Sequence, residues 1–240
     1  MRTKSNDTLA SDSGFSSKIR NVLDFLVFLL EWIVPRGVKP LASLDRLRRI
    51  KIYKYISDVR LDIFELVAEE INSKKIPGSV AELGVYKGKF SKYINELFPD
   101  RTLYLFDTFE GFDKRDVIVE IRNKYSSGNQ DFTRVNLDQV LQKMKHPEKC
   151  VIKKGHFPES LDGLEDEFCF VSLDADLFQP MLEGLKYFYP RLVRGGYIFV
   201  HDFNNRDYRG VKKAVQEFCR EREINYLPIP DTKGTVVIMK

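Results

Sequence analysis

A chain of 240 residues has room for one core domain with an extension, and its 43% hydrophobic and 31% charged residues suit a sizeable core under a water-facing surface. The net charge of +4, with no basic stripe interleaved with aromatics, argues against a nucleic-acid partner. The three cysteines, Cys150, Cys169 and Cys219, lack C-x-x-C spacing; they speak against a thiolate-held metal and fit a reducing cytoplasm.

Met1 to Ser17 is polar and aperiodic, so it is expected to be disordered. An apolar run follows from Val22 to Val34, broken by Asp24 and Glu31 and stopped by Pro35. It falls short of the ~20 residues that a spanning helix needs, and no small-residue cleavage site of a signal peptide follows it. Lys18 and Arg20 before it, with Trp32, Arg36 and Lys39 at its end, would suit a helix over residues 19–34 lying in a membrane interface. Packing on its own domain or across a dimer is the stronger expectation, within a cytoplasmic homo-oligomer. The basic segment Asp45 to Ile56 reads as a solvated face, although Tyr53 and Tyr55 could close over a cofactor. Residues 1–57 thus form a tail, a helical extension and a lid, and residues 58–240 the main domain.

From Asp58, the spacing of Val59, Ile63, Phe64, Leu66, Val67 and Ile71 predicts a helix ending at Asn72-Ser73, before Pro77-Gly78. The organising stretch comes next. Ser79 to Phe90 reads as a short buried strand that breaks at Gly84, turns, and starts a helix, a device that brings backbone N–H groups to the carboxyl edge of a sheet. A second acidic strand end, Leu103 to Asp107, follows about one βαβ unit later, and its carboxylate can accept both hydroxyls of a ribose. A dinucleotide fingerprint would need G-x-G-x-x-G, whereas Gly84 and Gly88 give only G-x-x-x-G. That looser loop suits a nucleoside without a pyrophosphate, although a helix start needing a flexible turn is the plainer alternative.

Residues 113–136 are polar without clear periodicity and are expected to form a long loop, part of a lid. A helix from Leu137 to Met144, a strand Cys150 to Lys153 and the break Gly155-His156-Phe157-Pro158 follow. The strand Phe168 to Leu173 ends in Asp174-Ala175-Asp176, and after a helix Met181 to Tyr189 the strand Tyr197 to Val200 ends in His201-Asp202. A helix Gly210 to Glu223 leads to two strand-like runs, Ile224 to Ile229 and Thr235 to Met239, read as an antiparallel hairpin. Five βα steps and this hairpin predict an α/β fold: a doubly wound, mostly parallel seven-stranded sheet with one reversed strand.

Two consecutive strand ends therefore carry carboxylates, Asp174 and Asp202, each beside a further donor, Asp176 and His201. Neighbouring strands lie ~4.8 Å apart, so such groups can reach one hard or intermediate cation. That cation could bind a hydroxyl and lower its pKa while a nearby carboxylate takes the proton. The plainer alternatives are an N-cap role for Asp174 or Asp176 and a strand-end turn at His201-Asp202.

The segments Ala81 to Gly88, Asp107 to Gly111, Leu173 to Phe178 and Gly195 to Phe203, in this order and spacing, resemble the macrocin O-methyltransferase family of class I S-adenosylmethionine-dependent enzymes. The resemblance covers about Tyr53 to Lys240. It implies a Rossmann-like methyltransferase domain that uses S-adenosylmethionine, and Mg²⁺ or another divalent cation, to methylate a hydroxyl of a sugar or glycan-like small molecule. By position, it places Glu82, Leu83, Gly84, Val85 and Tyr86 along the methionine part, Asp107 on the ribose with Thr108 and Phe109 beside it, and Gly155-His156 at the adenine. Tyr55 and Asp174 join this cofactor set. Asp174, His201 and Asp202 become metal ligands, with Asp176 as general base and His201 as a second catalytic group. His201 is the departure, standing where the sugar-modifying members have a carboxylate, so a transition metal or an orienting role for the imidazole is open. Two further readings compete: a non-catalytic module working through its apolar N-terminal helix, and a nicotinamide-dependent oxidoreductase, which the missing third glycine weakens.

Overall fold

A computed structural model of the chain describes residues 58–240. The expectations for the tail, for the apolar helix at 19–34 and for Tyr55 lie outside the described residues. Among the described residues, no helix is long and apolar enough to cross a membrane.

Helix α1 (Val59–Ser73) leads into strand β1 (Ser79–Leu83), followed by α2 (Ser91–Leu97), β2 (Leu103–Asp107), α3 (Lys114–Asn123), α4 (Leu137–Leu141) and β3 (Cys150–Lys154). Then come β4 (Phe168–Leu173), α5 (Phe178–Arg191), β5 (Leu192–Val200), α6 (Arg209–Arg222), β6 (Leu227–Ile229) and β7 (Thr235–Met239). The sheet has seven strands in the order β3-β2-β1-β4-β5-β7-β6, and β7 alone runs antiparallel to its neighbours β5 and β6. The expected doubly wound sheet with one reversed strand is therefore the observed one. The chain steps outward from β1 through β2 to β3, then returns to place β4 and β5 on the other side. That reversal between β1 and β4 opens the crevice where open α/β sheets bind ligands.

Burial explains why these strands sit at the centre. Every residue of β4 is buried, the continuous apolar run expected of a parallel strand covered on both faces. On one face Phe64 of α1 packs 4.6 Å from Phe170, with Ile94 and Phe98 of α2 in the same cluster. On the other face Phe188 of α5 lies 5.0 Å from Phe168, and Val211, Val215 and Phe218 of α6 complete the layer. Each fully buried phenylalanine contributes roughly 2–3 kcal/mol of transfer free energy. Cys169 and Cys219 are buried free thiols within these layers.

The polar stretch after Asp113 corrects one expectation: residues 114–123 form helix α3 rather than loop. Asp113 caps it by accepting from the Arg115 backbone N–H, and Lys124 ends it in the left-handed region. Its buried face carries Asp116 and Glu120, four apart, each paired with a partner elsewhere in the fold. An inward face made of acids hides the apolar periodicity that would have marked a helix.

Candidate active site

Strand register sets the site. Leu83 pairs with Phe106 on one side and with Leu173 on the other, and Leu173 pairs with Val200. The residues one step beyond are Asp107, Gly84, Asp174 and His201, aligned along the carboxyl edge of β2, β1, β4 and β5. The edge is held by backbone bonds past the strand ends: Gly84 N–H to Phe106 O (2.9 Å), Asp174 N–H to Leu83 O (2.8 Å) and His201 N–H to Leu173 O (2.9 Å). Gly84 has φ +90°, and a Cβ there would lie 2.2 Å from the Asp174 carbonyl oxygen, so only glycine lets the chain turn this close to β4.

A cleft opens at this edge. On its floor, Asp107 accepts from the Tyr86 N–H at 2.8 Å through Oδ2 and from the Phe109 N–H at 2.6 Å through Oδ1. Tyr86 and Phe109 both adopt positive φ to deliver those N–H groups, a local strain of the kind that collects at binding sites. His156 holds Asp116 of α3 at 3.1 Å through Nε2, fixing the ring on the cleft wall.

At the other end of the edge, Asp174, His201 and Asp202 offer ligand atoms that all lie within 4.8 Å of one another. His201 Nδ1 is 2.9 Å from Asp174 Oδ1 and 3.4 Å from Asp202 Oδ1. Asp202 Oδ1 is buried and has no hydrogen-bond partner. Arg60 of α1 donates from Nη1 to Asp174 Oδ2 (2.9 Å) and from Nη2 to Ser172 Oγ (2.8 Å), with its guanidinium 4.0 Å from the centroid of the Phe90 ring. Asp176 and Asp202 both sit at positive φ, turning their carboxylates back toward the edge.

The charges follow from this packing. Burial would raise the Asp174 pKa, but the Arg60 and His201 charges outweigh it and hold the carboxyl well below the usual range. Burial would lower the His201 pKa; the Asp174 charge wins and the imidazole pKa rises. Asp176 goes the other way, raised well above the ordinary value by burial, by its hydrogen bond to Asp202 and by the charge of Asp174.

Neither Asp174 nor Asp176 serves as a helix cap. Helix α5 starts after Leu177 without a side-chain cap bond, and its Phe178 N–H donates instead to Glu120 Oε1 at 2.6 Å. A carboxylate from α3 thus satisfies the orphan N–H and leaves the two strand-end acids for other work. The His201-Asp202 pair does sit at a turn, closed by Asn205 N–H to Asp202 O at 3.0 Å, and its side chains still converge on Asp174.

Of the sequence-predicted site residues, Leu83, Gly84, Tyr86, Asp107, Thr108, Gly155, His156, Asp174 and Asp176 line the cleft. Val85 and Phe109 are buried in the core beneath it. Glu82 is also buried, its carboxyl accepting from Ser91 Oγ, with a pKa pushed up to about 8 mainly by burial. His201 and Asp202 join Asp174 in the cation-sized cluster at the cleft's edge. Sequence reasoning missed Arg60, Phe112 and Phe132. Arg60 had a signal, standing four residues before Phe64 on the buried stripe of α1; Phe132 falls in the stretch read as part of a lid and Phe112 just before it, and their rings lie 5.0 Å apart at the cleft.

The sequence profile of the macrocin-O-methyltransferase (TylF) family matches residues 48–239. The chain belongs to that family. It is 25% identical over 196 residues to the 8-demethyl-8-(2,3-dimethoxy-α-L-rhamnosyl)-tetracenomycin-C 4′-O-methyltransferase of Streptomyces olivaceus, covering 75% of this chain and 72% of that protein. It is 23% identical over 196 residues to the mycinamicin III 3″-O-methyltransferase of Micromonospora griseorubida, covering 68% and 73%. Among solved structures, the O-methyltransferase NovP superposes with a TM-score of 0.66 at 22% identity, over 77% of this chain and 81% of that one. This macrocin-O-methyltransferase family member is an S-adenosylmethionine-dependent O-methyltransferase with a Rossmann-like sheet. Family membership removes the oxidoreductase reading and leaves the non-catalytic module without support.

Proposed function

We propose that the enzyme methylates a hydroxyl of a sugar with help from a divalent cation held by Asp174, His201 and Asp202. The observation that carries this reading is the convergence of those three donors within 4.8 Å at the edge of the cleft whose floor is Asp107. Two carboxylates and an imidazole suit a hard or intermediate cation, and a buried Asp202 Oδ1 without a hydrogen-bond partner is the kind of atom that such an ion satisfies. Residues 58–240 are the methyltransferase domain in this reading, and residues 1–57 a tail and lid.

Within the cleft, Asp107 is assigned to the ribose hydroxyls of the methyl donor, since both its oxygens are oriented by backbone N–H groups. Leu83, Gly84 and Tyr86 flank the methionine part, Thr108 lies beside the ribose, and Gly155 and His156 border the adenine. The bound donor supplies an electrophilic methyl group, and the cation supplies charge that lowers the pKa of the acceptor hydroxyl. Asp176, which lines the cleft beside Asp174, is assigned to take the hydroxyl proton. Arg60 fixes Asp174 through Oδ2, so the edge is oriented before the acceptor arrives. A sugar acceptor is favoured because the tetracenomycin relative is named for a rhamnosylated substrate.

The test is methyl transfer from labelled S-adenosylmethionine to a panel of hexosides, with and without EDTA. Metal-dependent transfer to a sugar hydroxyl is the expected result; transfer only to non-sugar hydroxyls would overturn the acceptor class.

A further inference from the structure

Helices α5 and α6 follow the two loops that carry the strand-end acids, and neither has a side-chain cap of its own. The first N–H of each is taken up at the C-terminal end of α3. Phe178 N–H donates to Glu120 Oε1 at 2.6 Å, and Arg209 N–H donates to the carbonyl of Tyr125, just past that helix, at 3.1 Å. A helix leaves its first N–H groups without intrahelical partners, and here one segment supplies an acceptor to both.

Glu120 is the centre of this joint. It is fully buried, and Ser126 Oγ donates to its second oxygen at 2.7 Å, which holds the turn that presents the Tyr125 carbonyl. Tyr125 N–H returns to the Glu120 carbonyl at 2.9 Å, and the Tyr125 ring lies 5.3 Å from the Phe178 ring. Helix α6 is seated on the same spot. A Cβ at Gly210 would lie 2.6 Å from Glu120 Oε1 and 2.9 Å from Phe178 Cβ, so glycine lets the first turns of α5 and α6 meet over the carboxylate. The chain between this joint and the acids is short. Asp176 stands two residues before Phe178. Asp202 stands seven before Arg209, on a loop closed by Asn205 N–H to Asp202 O at 3.0 Å and Asp207 N–H to Asn205 Oδ1 at 3.1 Å. Pairing of β4 with β5 sets where the two loops begin, and the end of α3 sets where they finish.

We propose that Glu120 is a positioning residue for methyl transfer: it fixes the far ends of both acid-bearing loops, and so the placement of Asp176 against Asp174, His201 and Asp202. The inference rests on the role given to Asp176 above. Glu120 does not line the cleft and acts only through the loops it holds. A carboxylate suits the place, because negative charge is favoured at helix N-termini and two of them end here. A misplacement of about 1 Å at a reacting group is enough to cost about a hundredfold in rate.

The test compares the full chain with Glu120→Gln, which keeps an acceptor oxygen for the Phe178 N–H, and Glu120→Leu, which removes it. Amide hydrogen exchange is read first, since it needs neither an acceptor nor a cation. Glu120→Leu is expected to raise exchange about tenfold or more over both 174–182 and 202–212, with Glu120→Gln at the wild-type level. A rise confined to the start of α5 makes Glu120 an ordinary cap and overturns the proposal. Steady-state methyl transfer follows, with whichever hydroxyl compound the enzyme accepts. The kcat of Glu120→Leu is expected to fall about a hundredfold while the KM for S-adenosylmethionine stays within about threefold, and Glu120→Gln to recover most of the loss. An unchanged kcat in Glu120→Leu, or an equal loss in Glu120→Gln, overturns the proposal. Should Glu120→Leu not fold, Glu120→Asp, whose carboxylate stops one methylene short of the Phe178 N–H, is expected to lower kcat about tenfold, and wild-type kcat overturns the proposal. Full turnover by Asp176→Asn overturns the base assignment, and with it the premise. Transfer only to non-sugar hydroxyls, with the Glu120 variants behaving as expected, overturns the sugar reading alone.

Discussion

Asp174 Oδ1 and His201 Nδ1 lie 2.9 Å apart, joining the ends of the adjacent parallel strands β4 and β5. Both follow the paired residues Leu173 and Val200, so their meeting is a consequence of register. A one-residue slip of β5 would turn the imidazole to the opposite face. Arg60 grips the second oxygen of Asp174 at 2.9 Å, which leaves the carboxylate little freedom. A group fixed from both sides can present the same geometry to each incoming cation and acceptor.

The Arg60 pair is expected to be structural as well as electrostatic. Arg60→Met leaves a largely buried carboxylate without its guanidinium and should cost about 3 kcal/mol. Arg60→Lys should recover only part of this, because an ammonium cannot reproduce the fork onto both Asp174 and Ser172. Urea unfolding of the three proteins checks it; equal midpoints would contradict it.

Glu82 makes stability depend on pH. Its carboxyl, raised to about 8 in the folded chain from an ordinary 4.5, keeps a proton that the unfolded chain releases. Its contribution is therefore complete below pH 4.5 and is lost as pH rises from there through 8. Glu82→Gln is neutral throughout, so the wild type should lose stability relative to it by about 1 kcal/mol per pH unit in mid-window. Urea midpoints at pH 5 and pH 8 measure this. A wild-type-to-variant difference that does not change between them would refute it.

Asp107→Asn probes the donor site. Both carboxylate oxygens accept backbone N–H bonds, and an amide would turn an NH₂ toward one of those donors. S-adenosylhomocysteine should bind about tenfold or more weakly to the variant by calorimetry. Equal affinity would remove Asp107 from the donor site.

Much of this was legible in the chain. The break at Gly84, the acids at Asp107, Asp174 and Asp202 and the apolar run of β4 could be read as strand ends, because parallel strands are continuously hydrophobic and stop abruptly at polar residues. Helix α3 could not, since its inward face is Asp116 and Glu120 and their partners, His156 and the Phe178 N–H, come from distant segments. Arg60 stands on the buried stripe of α1, but what it pairs with could not be read, because its acid lies 114 residues away. Long-range pairing of charged groups leaves no periodic trace.

The most direct measurement of the central claim is a titration of the full chain with Mn²⁺, following the free-ion signal by electron paramagnetic resonance, beside turnover in EDTA. The account predicts one saturable site that Asp202→Asn weakens about tenfold or more, unchanged S-adenosylhomocysteine affinity, and turnover that EDTA abolishes and added metal restores. A chain with no saturable site, or one that transfers methyl groups at full rate in EDTA, would contradict it.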